Sequence, residues 1–246
     1  MFDKITFYKN ILRYQYLDIL RGLAIVLMIL FHLNYSLIHI FNSEIFNVSE
    51  TFWYILGKVS ALGFITIAGA SSYLASEKYT QTELTRKYIR YSGILALCAG
   101  AITAGTALFF PKQIIIFGIL HFFALSFLLL PFVIKNRWGI YAIIGFSIFV
   151  YFFMPQGVDS KILFPLGFTY QGFYSADYYP LIPYFSVLLI GYLGAEFLQK
   201  SNFLKHLHIS RELNVLEKTF SSIGKRSLLI YLIHQPIIVG VLYLIF

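Results

Sequence analysis

Asp18, Arg21, His32, Lys58, His121 and His234 stand inside or at the edge of stretches that are otherwise apolar. A charged side chain at the centre of a membrane-spanning helix costs about 2.5–3.5 kcal/mol on insertion scales, so each is a candidate for function and should face a polar interior. Imidazole takes and returns a proton near neutral pH, and it can also carry an acyl group covalently. A deep lysine needs an anion or a hydrogen-bonding pocket, and in a reaction it can neutralise a developing oxyanion. Asp18 and Arg21 stand three residues apart, so on a helix they can pair and lower each other's burial cost. Asp18 and Arg21 also have a plain structural account as an ion pair, and His32 one as a neutral imidazole bonded to a neighbouring helix.

A second set gathers near the C-terminus. The run GKRSLL, residues 224–229, brings Lys225, Arg226 and Ser227 to the start of the last apolar stretch, with His234 and Gln235 farther along it. Paired cations of this kind suit phosphate groups, and they equally anchor a helix on the cytoplasmic side. Known nucleotide, zincin and serine-hydrolase fingerprints are missing: there is no GxxxxGK[ST], HExxH or GxSxG. No two carboxylates share an apolar stretch in the manner of a glycosidase or a proton relay.

The elements that must position these residues follow from composition. Of 246 residues, 59% are hydrophobic and only 12% charged, with a mean hydropathy of +0.74. Water is not the solvent of such a chain. Apolar runs fall at 19–41, 52–75, 91–110, 114–134, 138–155, 180–198 and 227–246. Each is continuously apolar, whereas strands of a membrane barrel alternate over about 10 positions. The expectation is an all-α polytopic bundle of about seven crossings, a single domain over residues 1–246. The first run lacks a small-residue cleavage site and reads as a retained helix.

Charge sets the orientation. Lys112 and Lys161 alone fall in external segments, Arg21 and Lys58 lie inside apolar runs, and the remaining fifteen of nineteen Lys and Arg flank the other side. Positive residues are retained in the cytoplasm, which places the N-terminus there. The same scatter argues against nucleic acid as the reason for a net charge of +8. Counting about 1.5 Å of rise per residue, His32 lies about 21 Å beyond Asp18, and Lys58 and His121 about 9 and 10 Å below their outer helix ends. These three then belong to the outer half. His234, about 10 Å above Ser227, joins Asp18 and Arg21 in the inner half. A polar path through the bundle is implied.

The outer loop at 155–179 is aromatic, Gly-rich and nearly uncharged, suited to a lid or to an interfacial aromatic belt. Cys98 is the single cysteine, so no disulfide forms within the chain and no metal site is expected. No internal repeat of the inverted-transporter kind stands out.

The stretch YLDILRGLAIVLMILFHLNYSL, residues 16–37, resembles the opening helix of the heparan-α-glucosaminide N-acetyltransferase family. Asp18, Arg21-Gly22, Met28 and His32 carry the likeness. WYILGKVSALGFITIAGASSYLA is similar to that family's Gly-rich second helix, with Lys58 at its basic position. FGILHFFALS with His121, DYYPLIPYFSVLLIGYLGAEF, and IGKRSLLIYLIHQPII follow in the family's order. The resemblance is strongest to the prokaryotic branch, and bacterial membrane O-acyltransferases open with a similar helix.

The resemblance implies an acyltransferase of the plasma membrane. It would take an acyl group, chiefly acetyl, from cytoplasmic acyl-CoA as co-substrate and pass it to a sugar-type hydroxyl or amine at or beyond the membrane. His32, Lys58 and His121 would be catalytic, and Asp18, Arg21, Asn34, Arg226, Ser227, His234 and Gln235 would bind substrate. His32 would act as base or acyl carrier, and Lys58 or His121 would stabilise the oxyanion or position the acceptor. His234 and Gln235 would line the donor channel. Partners would be the bilayer, acyl-CoA, a small-molecule or glycan acceptor and, for a homodimer, a second copy. The chain is much shorter than the lysosomal enzyme, so a smaller acceptor than heparan is expected. Two other classes meet the same residues: a transporter binding an organic anion without chemistry, and a membrane assembly protein whose polar groups only hold helices together.

Overall fold

The computed structural model describes residues 2–43, 45–46, 48–153, 161–201 and 213–246. Eight helices carry these residues: α1 Phe2–His39, α2 Glu50–Lys78, α3 Gln81–Phe109, α4 Ile119–Val133, α5 Arg137–Phe153, α6 Leu181–Lys200, α7 Val215–Lys225 and α8 Ser227–Ile245. Five are long and apolar enough to cross a membrane: α1 from Gln15 onward, α2, α3, α6 and α8. The fourth and fifth expected crossings are α4 and α5, of 15 and 17 residues. Helical rise makes them about 22 and 26 Å long, short of a hydrocarbon core of about 30 Å. The protein is an all-α polytopic membrane bundle. Among the described residues the only strand-like pairing is one bridge, Phe117 with Tyr178.

Two compact units divide the chain, one of residues 1–67 and 197–246, the other of residues 68–196. In the first, α7 is an element that the apolar runs do not announce. It is short and opens on a reciprocal cap, with Asn214 Oδ1 accepting from the Glu217 amide and Glu217 accepting from the Asn214 amide. This satisfies donors that a helix start leaves over. Against α1 it packs backbone to backbone. A Cβ on Gly22 would collide with the Phe220 carbonyl, and one on Gly224 with the Asp18 carbonyl. Only glycine admits an approach this close.

In the second unit α3 packs on α4. Ser92, buried in α3, donates to the Ala124 carbonyl at 2.7 Å, and Gln81 Nε2 donates to the Pro131 carbonyl at 2.7 Å. The described part of the outer loop, 161–179, is tied to the segment between α3 and α4. Ala176 N–H donates to Ile114 O and Tyr179 N–H to Phe117 O, both at 3.0 Å, and Ile116 N–H donates to Ser175 Oγ. Tyr178 donates its hydroxyl to the Phe164 carbonyl at 2.6 Å. The loop's first residues, 154–160, and the basic residues Lys205 and Arg211 lie outside the described residues.

Candidate active site

The first unit brings His32 and His234 together, with ring centroids 4.8 Å apart and planes at 72°. Each ring is held by its own helix. His32 Nδ1 lies 2.9 Å from the Met28 carbonyl, and His234 Nδ1 lies 2.6 Å from the Tyr231 carbonyl. A carbonyl only accepts, so Nδ1 carries the hydrogen in both rings and each neutral imidazole keeps its lone pair on Nε2. His234 is 7% exposed, and its Nε2 is buried with no hydrogen-bond partner among the described residues. A buried acceptor left without a partner costs about 1–3 kcal/mol, so a group that supplies a hydrogen there is favoured.

The next residue extends the polar patch. Gln235 Nε2 donates to Ser36 Oγ at 2.9 Å, and Gln235 Oε1 is a second buried acceptor without a partner among the described residues. Ser36 and Asn34 are both buried on α1. His32, Ser36, His234 and Gln235 thus form one cluster where α1 meets α8.

Below it, Arg21 Nη1 donates to Asp18 Oδ1 at 2.7 Å, the i, i+3 pair that the spacing predicts. The Gly224 contact sets the end of α7 against this pair. The chain then breaks at Arg226, whose φ of −104° and ψ of 18° leave the helical range, and α8 starts at Ser227. No side chain caps that start, so its first amides and the positive end of its dipole are open. Lys225 and Arg226 are exposed beside it, and Ser227 is half-buried.

Lys58 is also in this unit. Ser60 Oγ donates to the Ala24 carbonyl at 2.9 Å, and Gly57 lies against the Phe31 ring, which together seat α2 on α1. Lys58 is half-buried, with Nζ 5.6 Å from the Tyr54 ring centroid.

His121 belongs to the second unit and is committed on both nitrogens. Its Nδ1 accepts the Gly118 N–H at 3.3 Å, closing the first turn of α4, so the hydrogen resides on Nε2. That nitrogen lies 3.3 Å from Thr103 Oγ1, which itself donates to the Ile115 carbonyl at 2.6 Å. Asp177 Oδ2 accepts the Ile119 N–H at the same helix start. His121 therefore helps cap α4 and joins it to α3.

Depth counted along single helices assigns His32 and His234 to opposite halves of the membrane, yet their rings touch. Rise per residue fixes distance along one axis only; the level at which α8 enters beside α1, and its tilt, are not contained in that count. Ser36 and the Met28 and Tyr231 carbonyls escaped the sequence reading for a related reason. Serines and backbone carbonyls give no signal until a second helix lies beside them.

Residues 13–236 match the family described as heparan-alpha-glucosaminide N-acetyltransferase, catalytic. No curated protein and no solved structure matches the chain. The match includes all four residues of the cluster, His32, Ser36, His234 and Gln235. The chain belongs to the heparan-alpha-glucosaminide N-acetyltransferase catalytic family and is a membrane transferase.

Proposed function

We propose that the protein moves an acyl group, chiefly acetyl, from cytoplasmic acyl-CoA to a sugar-type hydroxyl or amine at or beyond the plasma membrane. The observation that carries this reading is the imidazole pair. His32 is fixed as the tautomer with its Nε2 lone pair available, and a second imidazole, whose buried Nε2 has no partner among the described residues, stands beside it. A binding cradle for an anion needs donors, whereas this cluster presents bare acceptors ready for a proton. That favours acyl transfer over carriage of an organic anion.

The steps follow from that tautomer. His32 Nε2 takes the proton of the acceptor hydroxyl or amine while the acceptor's oxygen or nitrogen forms a bond to the thioester carbonyl carbon. The tetrahedral oxyanion collapses with cleavage of the carbon–sulfur bond, and the proton on Nε2 passes to the departing thiolate of CoA. In a two-step variant the same Nε2 attacks the thioester carbonyl carbon, the carbon–sulfur bond breaks and CoA leaves as the thiolate; the acceptor's oxygen or nitrogen then bonds to the acyl carbon as the bond to Nε2 breaks, and the acceptor's proton goes to His234 Nε2 and on to the thiolate. In the direct route His234, beside His32, shares the acceptor's proton until the thiolate takes it.

Around this centre, Lys225, Arg226 and the open start of α8 at Ser227 suit the phosphates of CoA, with Arg21 held by Asp18 deeper along the path. Asn34 and Gln235 offer amides to the substrates, and Lys58 offers a cation to the oxyanion. His121, occupied on both nitrogens, positions the start of α4 against α3 within the second unit.

Acetyl-CoA should raise the melting temperature of the purified protein, because a ligand that binds the folded form stabilises it by mass action. Free CoA should then accumulate when amino sugars are added. A protein that acetyl-CoA leaves unshifted at millimolar concentration would sink the reading.

A further inference from the structure

The geometry points to a second binding site, for the phosphate headgroup of an anionic membrane lipid, in a notch between the start of α3 and the end of α4. The notch has a volume of about 440 Å³ and is lined by Gln81, Thr82, Thr85, Arg86, Ile89 and Lys135. It lies wholly within the second unit and shares no residue with the histidine cluster.

Its chemistry is that of a phosphate acceptor. Arg86 and Lys135 bring two cations to one cleft, and Thr82 adds a hydroxyl. Neither cation has a salt bridge among the described residues, although Arg86 is within electrostatic reach of Glu83 and Lys135 Nζ lies 5.4 Å from the Phe132 ring centroid. Glu83, one turn before Arg86, accepts from Thr80 N–H at 2.9 Å and from Thr80 Oγ1 at 2.8 Å, so its Oε2 is engaged by the helix cap. The walls are braced as well: Gln81 Nε2 is spent on the Pro131 carbonyl and Thr85 Oγ1 on the Gln81 carbonyl. A planar guanidinium and a compact ammonium facing the same space suit a phosphate diester.

The rest of α3 identifies the ligand as a lipid. Below the notch the same face continues through Ile89, Gly93, Leu97 and Gly100. Ile89 is 48% and Leu97 77% exposed, and a Cβ on either glycine would meet nothing within 4 Å. A smooth apolar strip therefore leads from the cationic notch down a membrane-crossing helix. A free phosphate has no use for such a strip, whereas an acyl chain fits along it. The notch also lies at the basic end of α3, the end retained in the cytoplasm, where anionic headgroups gather.

Native mass spectrometry of the full chain in detergent tests this, with phosphatidylglycerol and phosphatidylcholine of equal chain length as probes. Wild type should retain phosphatidylglycerol in preference. R86Q/K135Q should weaken that retention by roughly tenfold or more, since each cation near an anionic headgroup contributes several-fold. Lys112→Gln, at the other end of α3, should change nothing. Gly93→Leu should weaken long-chain phosphatidylglycerol while sparing the dihexanoyl form. Equal retention of the two lipids by wild type, undiminished retention by R86Q/K135Q, or equal loss in Lys112→Gln would overturn the proposal. So would displacement of the lipid by millimolar inorganic phosphate, which identifies a free-phosphate site, or indifference of long-chain binding to Gly93→Leu.

Discussion

His32 and His234 come from helices nearly two hundred residues apart in the chain, and their rings meet with centroids 4.8 Å apart. Both rings give Nδ1–H to a carbonyl of their own helix, at Met28 and at Tyr231. The two remaining lone pairs make the cluster a place to receive one proton, which is what acyl transfer to a hydroxyl or amine requires.

Replacing the second ring separates that role from simple lining of a channel. His234→Gln keeps a polar side chain of similar length but removes the basic nitrogen. The expected outcome is a fall in kcat, smaller than the roughly 10²–10⁴-fold that loss of a general base costs, with little change in KM for acetyl-CoA. A raised KM with kcat intact would make His234 a donor-binding residue instead. Steady-state assays of CoA thiol release give both numbers.

The crossing of α7 over α1 predicts a structural sensitivity. Gly22→Ala and Gly224→Ala each drive a methyl group into a backbone carbonyl, at Phe220 and at Asp18. Forced overpacking costs about 1–3 kcal/mol, so both variants should melt several degrees lower and disturb the Asp18–Arg21 pair beneath. Gly100→Ala, where a Cβ meets open space, should melt at or above the wild-type temperature. Thermal unfolding in detergent distinguishes the two classes, and equal behaviour of all three would contradict the close approach.

The outer loop carries a pH signature. Burial pushes the Tyr178 hydroxyl up to about 12, while it donates to the Phe164 carbonyl. The unfolded chain ionises this phenol near 10, so between about pH 10 and 12 the folded state holds more protons than the unfolded one. The contribution is fully present below pH 10 and is lost as pH rises through that window. Tyr178→Phe should lower stability by about 1 kcal/mol at neutral pH through the lost hydrogen bond. It should also decline less steeply above pH 10. Melting curves of wild type and variant at several alkaline pH values compare the two slopes, and equal slopes would contradict the assignment.

Much of the architecture was legible in the apolar runs, because a bilayer leaves helices as the open solution for continuously apolar segments. The positions of α1, α2, α3, α6 and α8 follow, and so does the Asp18–Arg21 pair, a contact within one helix. Contacts between helices were not legible. The α7 segment is amphipathic and short, so it carries no crossing signal, and its packing depends on two glycines in distant stretches. In the sequence His121 is a catalytic candidate inside an apolar run; only the turn at Gly118 and the approach of Thr103 reveal that both nitrogens are engaged. His234 looked remote from His32 for want of the level at which α8 runs beside α1.

The most direct test is His32→Ala in purified, folded protein, following CoA thiol release from acetyl-CoA with amino sugars as acceptors. Without the imidazole, turnover should fall at least about 10²-fold with acetyl-CoA binding retained. Turnover at the wild-type rate in that variant would contradict the catalytic role of His32.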